Sequence, residues 1–393
     1  MIYLDNNATT RIDPEVFEAM VPYLTDNYGN AGSLYSIGQD AKKAINKART
    51  QVADLISARP DQIIFTASGS EANSMALFSI RQKLTELDRK KIAVSSVEHD
   101  SLIHAVATLS DKYGFECEQI PVDQSGVVLL DSARIIIDDN TGLVSVMYVN
   151  NETGSVNPVY DIAKICKQHG AFFHTDCVQA SCNFRLDVNE IGCDLMSISS
   201  HKIHGPKGCG ALYCSNPSIL SPLIFGGSEQ EFGVRGGTEN VAAIVGFGKA
   251  CEILRQNLQS INAHTTELKG YFYNTLCSYL DTFGLSNIIN INGEDISKPG
   301  KTLNIRFDGI DAETLLVLLD KRGVCASAGS ACCSLQSTPS RVLTAMGVSL
   351  EGAHNSVRFS FSKFNDKHEV KNACYKVASC IRRLYEIKSV NNN

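Results

Sequence analysis

The chain has 393 residues, of which 44% are hydrophobic and 20% are charged, a balance that is typical of a globular protein. Its net charge of −6, without a long basic run, argues against a nucleic-acid or anionic-membrane surface. No stretch reaches the ~18 consecutive apolar residues that a membrane span needs. The start of the chain lacks the pattern of a signal peptide. We therefore expect a cytoplasmic protein whose 14 scattered cysteines are mostly reduced.

The first 60 residues predict a loop and then two helices. Residues 4–10, LDNNATT, are rich in turn formers and small polar residues. A helix is predicted over 14–23, with Asp13 as its N-cap and Pro14 at its first position. Residues 38–56 have alanine, valine and isoleucine at helical spacing, which predicts a long amphipathic helix.

Residues 62–78 predict a strand, a short Gly/Ser turn and a helix. The apolar run at 62–67 is followed by Ser68-Gly69-Ser70 and by a helical pattern over 71–78. A strand that enters a helix through such a turn offers free backbone N–H groups and hydroxyls to an anion. The same turn is also typical of a simple serine cap.

Four further apolar runs predict strands at 91–99, 144–149, 171–176 and 194–202. They alternate with helical patterns, which predicts a mainly parallel sheet with helices on both faces. Ligands bind at the carboxyl ends of the strands in such sheets. A polar residue stands at or just beyond each strand end: Ser70, His99, Asn151, Asp176 and Lys202. We therefore expect these five residues to share one site.

Asp176 and Lys202 together suggest a site for pyridoxal phosphate (PLP). A lysine can form a Schiff base with the aldehyde of this cofactor, and an aspartate can pair with its pyridinium nitrogen. Each residue also has an ordinary interpretation by itself. Lys202 is compatible with a surface lysine after a core strand, and His99 with a structural hydrogen-bonding residue.

The remainder of the chain predicts a Gly-rich segment, a long helix and a smaller α/β unit. GGSEQEFGVRGGT at 226–238 has the composition of a functional loop, and a helix is predicted from about 240 through the 270s. The smaller unit has predicted strands at 302–307, 324–327 and 357–361, helices at 311–319 and 370–385, and a frayed tail at 389–393. We expect a large domain over 15–260 and a small domain formed by 1–14 and 261–393.

Several motifs along nearly the whole chain resemble the cysteine desulfurases of the IscS/NifS type, in class V of the PLP-dependent aminotransferases. They are YLDNNATT at 3–10, VEH at 97–99, NNETG at 150–154, HTDCVQ at 174–179, SSHKIHGPKG at 199–208, RGGTEN at 235–240 and AGSAC at 328–332. This resemblance implies PLP fold type I, with a large domain built on a mainly parallel central sheet and a smaller α/β domain.

The resemblance implies roles in cofactor binding for Lys202, Asp176, Gln179, His99, Gly69, Ser70, Ser199, His201, Thr238 and Asn151. Lys202 would be the Schiff-base lysine, and Asp176 would pair with the ring nitrogen. His99 would stack on the ring and transfer protons, and Gln179 would bond the phenolic oxygen. The remaining serine and histidine side chains would hold the phosphate, which the backbone approaches at Gly69. Thr238 would reach it from a neighbouring subunit, which implies a homodimer.

The resemblance also implies the substrate and the nucleophile. Arg358 and Asn151 would bind the carboxylate of L-cysteine, and Cys332 would accept its sulfur as a persulfide while alanine is released. Thiolate is the reactive form, and the small residues around Cys332 suit a mobile arm. No resident metal is expected, although Cys332 is a candidate transient ligand of an iron–sulfur cluster. The implied partner is a sulfur acceptor, such as an iron–sulfur scaffold or a thiolation enzyme.

Three positions depart from the usual pattern of the family. Tyr35 stands where many relatives have histidine, Phe232 stands where a basic residue is usual, and Cys333 follows the nucleophile. Cys333 is compatible with an inert thiol, a strained vicinal disulfide or a cluster ligand. The alternative functions are a selenocysteine lyase, another class V aminotransferase, and a non-catalytic sulfur-transfer scaffold.

Overall fold

The computed structural model describes residues 1–293, 295–329 and 339–391, with side chains as far as residue 388. The strands of these ranges, in chain order, are β1 (Ile2–Tyr3), β2 (Ile63–Thr66), β3 (Lys91–Ser95), β4 (Glu116–Ile120), β5 (Thr141–Ser145), β6 (Phe172–Asp176), β7 (Leu195–Ser199), β8 (Gly210–Cys214), β9 (Ile289–Asn292), β10 (Thr302–Phe307), β11 (Val324–Cys325) and β12 (Ser356–Ser360).

The α-helices of the same ranges, in chain order, are α1 (Pro14–Leu24), α2 (Ser36–Leu55), α3 (Gly69–Phe78), α4 (Arg81–Glu86), α5 (Asp100–Tyr113), α6 (Leu130–Ile136), α7 (Val159–His169), α8 (Val188–Ile191), α9 (Val241–Thr282), α10 (Ala312–Lys321), α11 (Arg341–Ala345), α12 (Leu350–His354) and α13 (Lys367–Asn391). Within the described part of the chain, none is long and apolar enough to cross a bilayer.

The central sheet has the strand order β2-β8-β7-β6-β5-β3-β4. The pairs β3–β4, β3–β5, β5–β6 and β6–β7 are parallel, and β8 runs antiparallel to both β2 and β7. The prediction of a mainly parallel sheet is confirmed. The carboxyl ends of β3, β5, β6 and β7 consequently meet at one edge of the sheet.

Helices cover both faces of this sheet because successive strand residues point to opposite sides. In β2, Ile63 and Phe65 belong to one hydrophobic core, while Ile64 belongs to the other. The first core includes α2 and α7, and the second includes α3 and α5. The strands are buried on both faces, as the continuous apolar runs of the sequence predict.

A smaller unit packs β9, β10 and β12 as an antiparallel sheet against α10, α13 and the second half of α9. Helix α9 has 42 residues and contributes to two cores, with Ala250 in the larger and Leu268 in the smaller. Val342 and Ala353 also pack in the larger core, although they lie late in the chain. The division into domains stays a prediction.

Three predicted boundaries are wrong. Strand β3 ends at Ser95, so His99 lies four residues beyond it, at the N-cap of α5. Strand β5 covers Thr141–Ser145 rather than 144–149, because the Glu98 carboxyl group accepts the N–H of Met147 and replaces ladder pairing with β3. The last helix does not fray at residue 389, since its backbone remains helical to Asn391.

Candidate active site at the carboxyl edge of the sheet

A cavity of about 210 Å³ opens at the carboxyl edge of the central sheet. The residues of the predicted site that line it are Gly69, Ser70, His99, Asn151, Asp176, Gln179, Ser199, His201, Lys202 and Arg358. Thr238 does not line it, and Cys332 lies outside the described residues. The structure therefore brings together nearly all of the predicted site, while the role of each residue stays a prediction.

Lys202 is presented by the single helical turn Ser200–Lys202, which follows β7 directly. Its ammonium donates hydrogen bonds to the backbone oxygens of Asn7 at 2.5 Å and Ala8 at 2.9 Å. Burial lowers the pKa of Lys202 to about 8, with smaller contributions from the charges of Lys301 and Arg358. At pH 7 about a tenth of such an amine is neutral and nucleophilic, far more than for an ordinary lysine.

Asp176 is the last residue of β6 and is almost fully buried. One carboxylate oxygen accepts a hydrogen bond from Nδ2 of Asn73 at 2.8 Å, and the other accepts one from the backbone N–H of Val178 at 2.9 Å. Two donors on different elements fix the plane of the carboxylate. Such a carboxylate can face a protonated ring nitrogen without reorientation.

His99 is the N-cap of α5, and its ring nitrogen replaces the usual capping oxygen. The backbone N–H of Ser101 donates to Nδ1 at 3.1 Å. A nitrogen that accepts a hydrogen bond has no proton, so the neutral ring carries its proton on Nε2. The hydroxyl of Ser101 also lies 3.0 Å from Nδ2 of Asn73. A hydrogen-bonded chain therefore connects His99 with Asp176 through Ser101 and Asn73.

The opposite end of the cavity has the geometry of an anion site. Helix α3 begins at Gly69, and its first N–H groups have no partner within the helix. A Cβ at Gly69 would lie 2.9 Å from Val178 and 3.3 Å from Ser199, so a larger residue does not fit there. The buried hydroxyl of Ser199 has no partner among the described residues. Burial lowers the pKa of His201 to about 3, which makes its ring neutral at physiological pH.

Arg358 enters the cavity from β12, in the small sheet. Its guanidinium is nearly fully buried and forms an ion pair with Asp5 at 3.0 Å. It also donates to the backbone oxygen of Asn151 at 3.0 Å, while its Nε has no partner within the described ranges. A buried guanidinium that lines a cavity and has an unused donor is suited to a carboxylate.

The residues present fit PLP. Lys202 would hold the aldehyde, Asp176 the ring nitrogen, and Gly69, Ser70 and Ser199 the phosphate at the start of α3. Gln179 donates from Nε2 to the oxygen of Asn7 at 3.1 Å, and its buried Oε1 has no partner among the described atoms. These unpartnered polar groups around one cavity are what a polar cofactor would satisfy.

The sequence analysis missed three residues that support the site. Asn73 orients Asp176, while Asn7 and Ala8 accept the hydrogen bonds of Lys202. Asn73 lies one helical turn after Gly69, on the face towards the sheet, and this spacing is a signal that could have identified it. Asn7 and Ala8 lie in a turn-rich segment nearly two hundred residues before Lys202, so no local pattern connects them with it.

Thr238 and two departures from the family pattern lie on the surface. Thr238 is exposed at the end of the Gly-rich segment, and nearby Phe225 and Phe232 are 84% and 48% exposed. Tyr35 is also exposed, at the start of α2. Arg235 connects this segment to the start of α3 through an ion pair with Glu71 at 2.8 Å. The exposed aromatic side chains are available to another chain.

Comparison with known proteins places this geometry in a family. The model of the aminotransferase class-V family matches residues 2–373. The cysteine desulfurase IscS of Methanosarcina thermophila is 40% identical, over 98% of this chain and 92% of its own length. A NifS-like protein of known structure has a TM-score of 0.87 and 33% identity, and the match covers 98% of this chain and all of that one.

A second solved structure is that of SspA in complex with cysteine. It has a TM-score of 0.76 and 30% identity, and the match covers 93% of this chain and 100% of that chain. The family confirms PLP as the cofactor and confirms the predicted fold class. The chain therefore belongs to the cysteine desulfurases of the class-V aminotransferase family.

Proposed function

We propose that this chain is a PLP-dependent cysteine desulfurase that converts L-cysteine to L-alanine and transfers the sulfur to Cys332. The observation that carries the proposal is the cavity that Lys202, Asp176 and Arg358 line together. When bound there, PLP supplies an electron sink next to the α-carbon of the amino acid. Lys202 and Asp176, which would hold the cofactor, and Arg358, which would bind the substrate carboxylate, line the same cavity.

The residues of the chain have distinct tasks in this reaction. Arg358 orients the substrate carboxylate, and its burial prevents water from competing for the guanidinium. The neutral amine of Lys202 takes the α-proton, for which a pKa lowered to about 8 is well matched. Asp176, oriented by Asn73, would pair with the ring nitrogen of the cofactor. His99 has its Nε2 proton available for transfer within the cavity.

The sulfur transfer is balanced without an external oxidant. The Cys332 thiolate attacks the substrate sulfur, so an S–S bond forms and the C–S bond breaks. The electron pair of the C–S bond stays on the three-carbon product, which takes a proton and leaves as alanine. The enzyme keeps a persulfide at Cys332, from which an acceptor protein, such as an iron–sulfur scaffold or a thiolation enzyme, takes the sulfur.

We also propose a homodimer in which Thr238 completes the phosphate site of the partner subunit. Thr238 is exposed and does not line the cavity of its own chain. The exposed rings of Phe225 and Phe232 beside it provide apolar surface for a second copy. Sedimentation equilibrium should give twice the chain mass, and a purely monomeric active enzyme would contradict this arrangement.

The experiment that tests the function compares Cys332→Ala with Cys333→Ala in the PLP-loaded protein. Wild type and Cys333→Ala should form alanine from L-cysteine and carry a persulfide at Cys332. Mass spectrometry should detect it as an increase of about 32 Da, the mass of one sulfur atom. Cys332→Ala should form neither. If Cys332→Ala released sulfide at the wild-type rate without added thiol, the persulfide mechanism would be wrong.

A further inference from the structure

Gly329 and Ser340, which flank residues 330–338 on opposite sides, lie next to each other. A Cβ placed on Gly329 would be 3.6 Å from Cβ of Ser340 and 3.4 Å from Oε2 of Glu152. Chain on both sides of residues 330–338 therefore converges on the carboxyl group of Glu152. Glu152 has no part in the cofactor site, since it does not line the cavity.

Glu152 binds the second of these residues directly. The hydroxyl of Ser340 donates a hydrogen bond to Oε2 of Glu152 at 2.5 Å, and the same hydroxyl accepts one from the N–H of Leu343 at the start of α11. Glu152 is buried, and burial raises its pKa, against the opposing effects of the Ser340 hydrogen bond and the charges of Arg358 and Arg341. A buried carboxyl group that loses a hydrogen-bond partner is costly to leave unpaired.

The turn that carries Glu152 is rigid and belongs to the cavity wall. Oδ1 of Asn150 accepts the backbone N–H groups of Glu152 and Thr153 at 2.8 and 3.0 Å. Gly154 closes the turn at a φ of 79°, which favours glycine. The neighbouring Asn151 lines the cavity, and its carbonyl accepts from Arg358. Glu152 is therefore fixed relative to the substrate site.

Hydrogen bonds also connect both flanks to segments that carry predicted site residues. On the N-terminal side, Ser327 exchanges two backbone hydrogen bonds with Arg358, at 3.2 and 2.7 Å. On the C-terminal side, Arg341 donates to the carbonyl oxygens of Ser96 and Glu98, in the turn that leads to His99. The Glu152 contact thus lies between two attachments, to the substrate arginine and to the histidine turn.

We propose that Glu152 is a positioning residue that fixes Ser340 beside Gly329, and so sets the distance between the two described ends of the chain that flank Cys332. The inference rests on the proposed function, because it assigns a task relative to Cys332. An attacking sulfur must approach the substrate sulfur within a narrow range of distance, and a displacement of ~1 Å costs about 10²-fold in rate. Loss of the contact should therefore affect sulfur transfer and spare substrate binding.

The test uses the full-length, PLP-loaded protein with Ser340→Ala and Ser340→Thr. The alanine variant loses the hydroxyl that Glu152 binds, whereas threonine keeps both this hydroxyl and the helix cap. The rate of persulfide formation at Cys332 in a single turnover should fall about tenfold or more in Ser340→Ala. In Ser340→Thr it should stay within about threefold of the wild-type rate. KM and the absorbance change of the cofactor on adding L-cysteine should be unchanged in both.

Ser349→Ala provides a matched control, because Ser349 caps the five-residue helix α12 as Ser340 caps α11. This variant loses the same kind of helix cap, but Ser349 has no hydrogen bond to Glu152 among the described residues. Its rate of sulfur transfer should therefore match that of wild type. In the double variant Glu152→Gln/Ser340→Ala, transfer should be no slower than in Ser340→Ala alone.

The inference is overturned if Ser340→Ala transfers sulfur at the wild-type rate, or if Ser349→Ala is equally slow. In both cases Glu152 would have a structural task only. If wild type itself formed no alanine from L-cysteine, the proposed function would fail, and this result is distinct from a failure of the Glu152 contact.

Discussion

The two walls of the cavity are built in different ways. Lys202 and Asp176 lie at or directly after the ends of parallel strands in the large sheet, where loops carry side chains to a common edge. Arg358 lies in the middle of β12, an antiparallel strand of the small sheet, and reaches the cavity only because that sheet packs beside the large one. The strand-end wall is suited to hold the cofactor, and the β12 wall is suited to select the substrate.

The largest effect should come from the strand-end wall. Lys202→Ala should lower alanine formation by about 10⁴-fold, the upper end of what a general acid–base group contributes. Borohydride treatment should then no longer attach the cofactor covalently to the protein. Lys207→Ala provides the control, since Lys207 is an exposed lysine of the same loop. Covalent attachment of PLP to the Lys202→Ala variant would show that another residue is the anchor.

A change in the β12 wall should spare the cofactor. Arg358→Lys should lower kcat/KM for L-cysteine about 10- to 100-fold, because an ammonium cannot reproduce the planar donor pair of a guanidinium. Borohydride should still attach PLP as in wild type. The matched control is Arg306→Lys, which should leave kcat/KM unchanged. Arg306 lies on the adjacent strand β10 and forms an ion pair with Asp308. A loss of cofactor in Arg358→Lys would break the distinction between the two walls.

Asn73→Ala tests the support of Asp176. Without its hydrogen bond of 2.8 Å to the carboxylate, the affinity for PLP should fall about tenfold, as expected for one bond to a charged group. KM for L-cysteine at saturating PLP should change little. Titration of the apoprotein with PLP measures the effect, with Ser74→Ala in the same helix as the control. Equal PLP affinity in Asn73→Ala and wild type would refute the orienting role.

The smallest effect on activity should come from Glu98, which is buried behind the strand-end wall. Burial raises its pKa to about 8, so the folded protein binds a proton that the unfolded chain releases above its ordinary value of 4.5. The free energy of unfolding should therefore fall by about 3–4 kcal/mol as the pH rises from about 5 to 8, and Glu98→Gln should abolish this decrease. Urea unfolding at both pH values measures this.

The control for Glu98→Gln is Glu116→Gln, at an exposed glutamate of the neighbouring strand β4. The free energy of unfolding of Glu116→Gln should depend on pH as that of wild type does. Alanine formation at pH 7 should be within about twofold of wild type in both variants. An unchanged pH dependence in Glu98→Gln would mean that the carboxyl is ionised in the folded protein.

The sequence predicted the parallel sheet and its polar edge because strands buried on both faces are continuous apolar runs. It placed Asp176 correctly, since the apolar run and strand β6 end at the same residue. It was less accurate at β3 and β5, where the side chain of Glu98 competes with ladder pairing. A carboxyl group that accepts a backbone N–H from a distant segment leaves no local pattern in the sequence.

By itself, the sequence determined the kind of chemistry, through Lys202, Asp176 and the motifs of the family. Strand-end residues follow from local periodicity, so they can be identified without a structure. Only the tertiary structure decided which groups support them: Asn73 on the aspartate, Asn7 and Ala8 on the lysine, and Glu152 against Ser340. These contacts join segments that are far apart in the chain, and packing rather than local pattern brings them together.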